Sequence, residues 1–225
     1  KGKRGCLVTL GVLVGGCLMC CCIGGALIAA GSDGQSSGDP ISAVAGPETS
    51  LGLAHVPEDL PPGTERLYHW RNKGRYGLGY GLSSEVHREV SDDHAALATR
   101  FRYHSEGSGP FTWTPPPQCQ AQPWACVFNQ LAGANTAHIS PLTELFRQRQ
   151  QQASLDVRAT AELVVTFVQS IPYRLPTETY FELLPPPIVV ADGSGDCDSK
   201  ALLAAMMLKE LGVDTAMLYS KSLAH

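Results

Sequence analysis

The sequence predicts an α+β fold, and three observations predict it. Residues 66–82 alternate aromatic and polar side chains on either side of Asn72-Lys73-Gly74, the pattern of a β-hairpin. Residues 140–170 carry two apolar patterns at helical spacing. The third observation is Gly193-Ser194-Gly195-Asp196-Cys197, a small polar loop that runs into a further helical pattern ending near Gly212. A 225-residue chain that is 44% hydrophobic suffices for one domain of moderate size with an appendage. Its net charge of −4 speaks against nucleic acid or another polyanion as partner.

Taken in order, residues 1–31 read as a transmembrane anchor. Residues 6–30 carry no charge and are long enough to span a bilayer, with Lys1, Lys3 and Arg4 before them and Asp33 after. The positive-inside tendency puts the N-terminus in the cytoplasm and the rest outside, so the expected location is a single-pass membrane protein with its C-terminal domain periplasmic or extracellular. Two alternatives stay open. One is a cleaved signal peptide, and the other a lipoprotein processed at Val14-Gly15-Gly16-Cys17. Cysteines 6, 17, 20, 21 and 22 lie in this run and read as small apolar fillers.

Residues 32–63, rich in Gly, Ser and Pro and without a hydrophobic period, read as a flexible linker. Residues 64–139 then form a region of hairpin plus helix. Tyr68 and Trp70 alternate on one strand and Tyr76, Leu78, Tyr80 and Leu82 on the other. Ser83 or Ser84 caps a helix through Val86, Val90 and Leu97 towards Phe101. Residues 107–125 read as a long loop, and an exported loop of this length suits a disulfide between Cys119 and Cys126.

Residues 140–225 are the expected core. Ser140-Pro141 matches a helix start with Pro at its first position, and a second helix over 155–170 stops at Ile171-Pro172. Ile188-Val189-Val190 reads as a short strand, and residues 213–219 as a second strand leading by a turn to His225. Between them, Leu202, Leu203, Met206, Met207 and Leu211 give the cysteine helix one buried face, capped by Ser194 or Asp196. Cys197 then occupies the first turn, at the positive end of the helix dipole. That setting favours a thiolate and offers a donor to an oxyanion, against the opposing charges of Asp196 and Asp198. A calcium loop starting at Asp192 is the metal alternative, but it would need Gly where Cys197 stands and a carboxylate where Leu203 stands.

Gly195-Asp196-Cys197, Leu211-Gly212-Val213-Asp214 and His225 together resemble the transglutaminase-like superfamily over residues 160–225. The resemblance implies a papain-like core in which the helix bearing the cysteine packs on an antiparallel sheet. It implies Cys197 as nucleophile, His225 on the next strand as its base, and an orienting Asp on a strand past His225. It also implies an upstream side chain that completes the oxyanion hole, for which Tyr173 is the candidate. The expected activity is that of a thiol peptidase or acyltransferase acting on protein or peptide substrates through a thioester, with no cofactor and no metal. A catalytically inactive module of the same superfamily, binding peptides or envelope components, is the alternative.

Overall fold

The computed structural model describes residues 47–104, 112–176 and 180–218. The expected anchor at residues 1–31, with its cysteines, and the candidate base His225 lie outside the described residues. No helix among the described residues is long and apolar enough to cross a membrane.

Among the described residues the fold is α+β, with three strands and five α-helices: β1 Glu48–Val56, β2 Arg66–Arg71, β3 Arg75–Leu82, α1 Ser84–Arg100, α2 Pro123–Gln152, α3 Val157–Ser170, α4 Pro186–Asp192 and α5 Cys197–Glu210. All lie in one compact unit, Gly46–Met217. The hairpin of β2 and β3 forms as its alternation predicts, closed by the bond from the Asn72 N–H to the Gly74 carbonyl.

The strand order is β1-β3-β2, with β1 parallel and β2 antiparallel to β3, so the sheet is mixed. β1 corrects the reading of residues 32–63 as linker throughout. Its alternation is hidden by a register shift between Ser50 and Leu53, where Gly52 adopts φ +111°. Thr49 is half-buried before that bulge and Leu51 within it, and Ala54 and Val56 are buried after it. A bulge moves the buried set to the other parity, and a period-two search then fails.

Two further corrections follow from burial. Pro141 lies inside the 30-residue helix α2 rather than at a helix start. The buried stripe Val127, Leu131, Asn135, Ile139, Leu142, Phe146 runs straight through it. Burying side chains such as Ile139 and Leu142, each worth about 1.5–3 kcal/mol, outweighs the roughly 3 kcal/mol that an interior proline costs. Helix α2 therefore also crosses residues 139 and 140, where the sequence suggests that the core begins. Ile188-Val189-Val190, read as a strand, lies in helix α4. Pro186 and Pro187 preset helical φ in its first turn, and the Pro185 carbonyl accepts the N–H groups of Ile188 and Val189.

A fourth correction concerns residues 213–218, which are irregular chain and not a strand. Val213 donates its N–H to the Leu208 carbonyl, and the Thr215 hydroxyl donates to that of Ala205, so this segment folds back on α5. The core itself lies between the sheet and the helices. Trp70 is its centre, against Tyr76, Phe146 and Phe167 at ring distances of 5.5, 6.0 and 5.3 Å. Helix α2 packs on β1, α3 on β2, and α5 on the three helices α2, α3 and α4. The antiparallel sheet expected against α5 is not among the described residues.

Candidate active site

Cys197 is the first residue of α5 and is half-buried. The local sequence explains why the helix starts there. Asp196 is extended (φ −79°, ψ −178°), and its carboxylate accepts the Ser199 N–H at 3.0 Å, the geometry of an N-cap. Of the two cap candidates, Asp196 is the one used. Burial raises its pKa above the ordinary aspartate range, and the hydrogen bonds from Ser199 oppose that shift. The far end closes with Gly212 at φ +78°, where a left-handed residue is expected.

The loop ahead of the cysteine is built by its glycines. Gly193 has φ +64° and caps α4, and a Cβ there would meet the Arg66 side chain at 2.5–2.8 Å. Arg66 cannot simply swing away, because its Nε donates to the Ala191 carbonyl at 2.8 Å. Beside it the Tyr68 hydroxyl donates to the Val190 carbonyl. Strand β2 thus grips the last turn of α4 from more than a hundred residues away, and sequence reasoning missed both contacts. Gly195 packs so closely that an added Cβ would meet Val189 at 3.2 Å.

Tyr173 is placed beside this loop by its backbone. It forms a parallel bridge with Gly195, in which the Gly195 N–H donates to the Pro172 carbonyl (3.2 Å) and the Arg174 N–H to the Gly195 carbonyl (3.1 Å). The Lys200 ammonium adds a third tie, to the Ile171 carbonyl at 2.6 Å. Residues 171–174 and the start of α5 are therefore one clamped unit. Tyr173 is 54% exposed.

A second clamp involves Ser199, which sequence reasoning did not single out. It is fully buried, and its hydroxyl accepts the Leu184 N–H at 2.7 Å. The readable signal was the pair Asp196 and Ser199, a cap residue with its receiving position three residues on. No sequence pattern announces the partner Leu184. The structure thus brings Cys197 and the Tyr173 backbone to one loop, while His225 lies outside the described residues.

Comparison with protein-family models, with curated proteins and with solved structures finds no match to this chain. Cys119 and Cys126 are joined in a disulfide, with Cα atoms 5.5 Å apart. Cys197 is the one cysteine among the described residues outside that bridge. Among the described residues no cluster of His, Cys, Asp and Glu is arranged to hold a metal ion.

Proposed function

We propose that this chain is a membrane-anchored, extracytoplasmic thiol enzyme of the transglutaminase-like, papain-like type, cleaving amide bonds of protein or peptide substrates. The observation that carries the reading is the seat of Cys197: half-buried, at the capped N-terminus of a helix whose other face is in the core. The dipole end at that position stabilises negative charge, both on sulfur and on an oxyanion formed next to it.

In the proposed reaction the Cys197 thiolate adds to the substrate carbonyl, and the tetrahedral oxyanion is held by the Cys197 N–H and the Tyr173 hydroxyl. The C–N bond then breaks, and the leaving amine takes the proton that His225 received from the thiol. Water adds to the thioester and returns a carboxylate product and the thiol. A lysine amine in place of water gives cross-linking by the same steps. No cofactor enters the scheme.

The irregular course of residues 213–218 favours a second reading, a non-catalytic module binding peptides or envelope components, because the resembling family carries its base on a strand. A thiol-directed acylating probe separates the two. Labelling at neutral pH should vanish in Cys197→Ala and slow by about 10²-fold or more in His225→Ala. Labelling that proceeds equally fast without His225 would leave the binding module.

A further inference from the structure

The net charge of −4 is unevenly spread over the fold, and one cluster of cations gathers at the turn of the β2–β3 hairpin. Arg71 and Arg75 are directly opposite in the antiparallel ladder, and Lys73 stands between them at the tip with φ +55°. The side chains of a direct cross-strand pair share one face of the sheet, about 5 Å apart, so like charges there repel. Glu48 of β1 relieves Arg75 at 3.5 Å, but that carboxylate is shared with His69 at 3.1 Å. Among the described residues no carboxylate pairs with Arg71.

The helices bring further charge to the same place. Glu162 of α3 accepts the Lys73 ammonium at 2.7 Å through one oxygen and the Arg158 guanidinium at 2.9 Å through the other, so one carboxylate serves two cations. Those two basic side chains remain 79% and 88% exposed. Arg149, near the end of α2, stands over the Tyr76 ring at 5.7 Å. With Asp156 counted at the α3 cap, five cations meet three carboxylates on these segments, a local excess of two positive charges (5 − 3). At the opposite end of the sheet the residues flanking the strands are Glu58, Asp59, Glu65 and Glu85 against the single cation Arg66.

Two placements decide what this tip meets. β1 begins at Glu48, which is in register with Arg75, so the chain enters the fold beside the cations. The 15 residues 32–46 (46 − 32 + 1) separate that entry from the uncharged run 6–30 and reach at most about 50 Å. With that run in a bilayer, the tip is on the tethered end of the fold. The cysteine loop belongs to the other end. β2 starts at Arg66, which holds the Ala191 carbonyl close to Gly193, and arrives at Arg71 about 17 Å further on.

We propose that the hairpin tip is a docking surface for an anionic phospholipid bilayer, with Arg71, Lys73, Arg75 and Arg158 against the headgroup phosphates and the Cys197 loop turned away from the membrane. The inference rests on the membrane-anchored part of the reading above. A phosphate between Arg71 and Arg75 removes the repulsion of the facing pair and accepts hydrogen bonds from both. Each cation close to an anionic surface adds about fivefold to affinity. Four of them hold weakly alone and firmly once a tether raises the local concentration of lipid. Docking at this end leaves the cysteine open to substrates outside the bilayer.

The test follows backbone hydrogen exchange at residues 71–75 of the 225-residue chain on vesicles. Phosphatidylcholine vesicles should leave exchange at the tip unchanged. Vesicles with about a third phosphatidylglycerol should slow it about fivefold or more at low salt, and about 0.5 M NaCl should remove the slowing. Exchange at Glu58 and Asp59 should stay the same on both. Arg71→Gln, Lys73→Gln and Arg158→Gln together alter exposed side chains only, so the triple variant should keep its urea midpoint and lose the slowing. Equal exchange on the two kinds of vesicle, slowing that survives the triple variant, or slowing that extends to Glu58 and Asp59 would overturn the proposal. So would the same slowing by soluble polyglutamate without vesicles, which would give the surface to an acidic protein. Co-sedimentation with the neutral vesicles reads the anchor by itself. A chain that stays in solution there, yet is slowed at the tip by the anionic vesicles, keeps the docking surface and loses the anchor.

Discussion

The hydroxyl of Ser199, fully buried in the first turn of α5, accepts the backbone N–H of Leu184 at 2.7 Å. The residue before Cys197 on one side and the segment ahead of α4 on the other are thereby joined through one residue, since Ser199 also donates its backbone N–H to Asp196. Ser199→Ala removes the acceptor and leaves the Leu184 N–H inside without a partner. The expected loss is about 1–3 kcal/mol of unfolding free energy, read by urea denaturation. Ser199→Thr retains the hydroxyl but must fit a methyl group into a filled site, so it should recover only part of that loss. If alanine is neutral here, the contact does not help to hold the start of α5.

Gly193→Ala tests the turn that delivers the chain to the cysteine. The substitution meets two obstacles, a left-handed φ of +64° and an Arg66 side chain 2.5 Å from the new Cβ. The backbone alone contributes roughly 1–2 kcal/mol of destabilisation. Arg66→Ala in the same background removes the clash but leaves the φ penalty, so the double variant should be less destabilised than the two single variants summed. Additive effects would show that the two residues do not touch.

Asp196 separates capping from charge. Asp196→Ala should cost about 1 kcal/mol as the Ser199 N–H loses its acceptor. Asp196→Asn keeps the acceptor and is as good a cap, so at low pH it should match wild type within a few tenths of a kcal/mol. The pKa of Asp196 is raised by burial, so the folded state holds the proton more tightly than the unfolded state does. Its stabilising share is therefore complete below the unfolded pKa and is lost as pH rises through the folded one. Relative to wild type, Asp196→Asn should gain stability as pH climbs from acid towards neutrality. An opposite trend in paired urea melts would mean that the cap hydrogen bonds outweigh desolvation.

Local rules were enough for the elements whose signals are local. The hairpin around Asn72-Lys73-Gly74, the Ser83 cap of α1 and the start of α5 after Asp196 are all set within a few residues, and all stand where the sequence puts them. The departures arise where distant contacts decide. Pro141 continues a helix because Ile139 and Leu142 are buried around it, and β1 pairs with β3 across a bulge that scrambles its period. The valines of α4 are helical because Arg66 and Tyr68 hold that helix's carbonyls and two prolines open it. The same divide runs through the candidate site. Cys197 was legible from its loop, whereas Ser199 with Leu184, and Arg66 with Gly193, are partnerships that no local pattern encodes.

The bridge between Cys119 and Cys126 closes a short loop at the start of α2, the sequence separation of the two residues being 7. In the chain-entropy picture such a loop is worth roughly 2 kcal/mol. Reduction, or the paired change Cys119→Ser and Cys126→Ser, should lower the urea midpoint accordingly. It should also loosen Gln130, whose amide lies 3.4 Å from the Cys126 sulfur, and with it Arg100. Hydrogen exchange should therefore rise at the N-terminal turns of α2 and stay unchanged in α5. Equal loss of protection in both helices would point to global unfolding instead.

His94 makes stability depend on pH in the opposite sense to Asp196. Its pKa is lowered to about 4 from an ordinary value near 6.5, because burial among Tyr180, Phe181 and the wall of α2 disfavours the imidazolium. The charged neighbours that line a cavity with it between α1 and α2 are Asp93 and Arg100, both exposed and of opposite sign, so they leave burial as the governing cause. A group whose folded pKa is depressed contributes stability that is complete above the unfolded pKa. That stability drains away as pH falls from about 6.5 towards 4, because only the unfolded chain takes up the proton. The loss over that window is roughly 3 kcal/mol. Wild type and His94→Leu should accordingly diverge in urea midpoint between pH 7 and 4, with the leucine variant losing less. Parallel acid profiles for the two proteins would show that some other group drives the acid sensitivity and that His94 is not held neutral inside the fold.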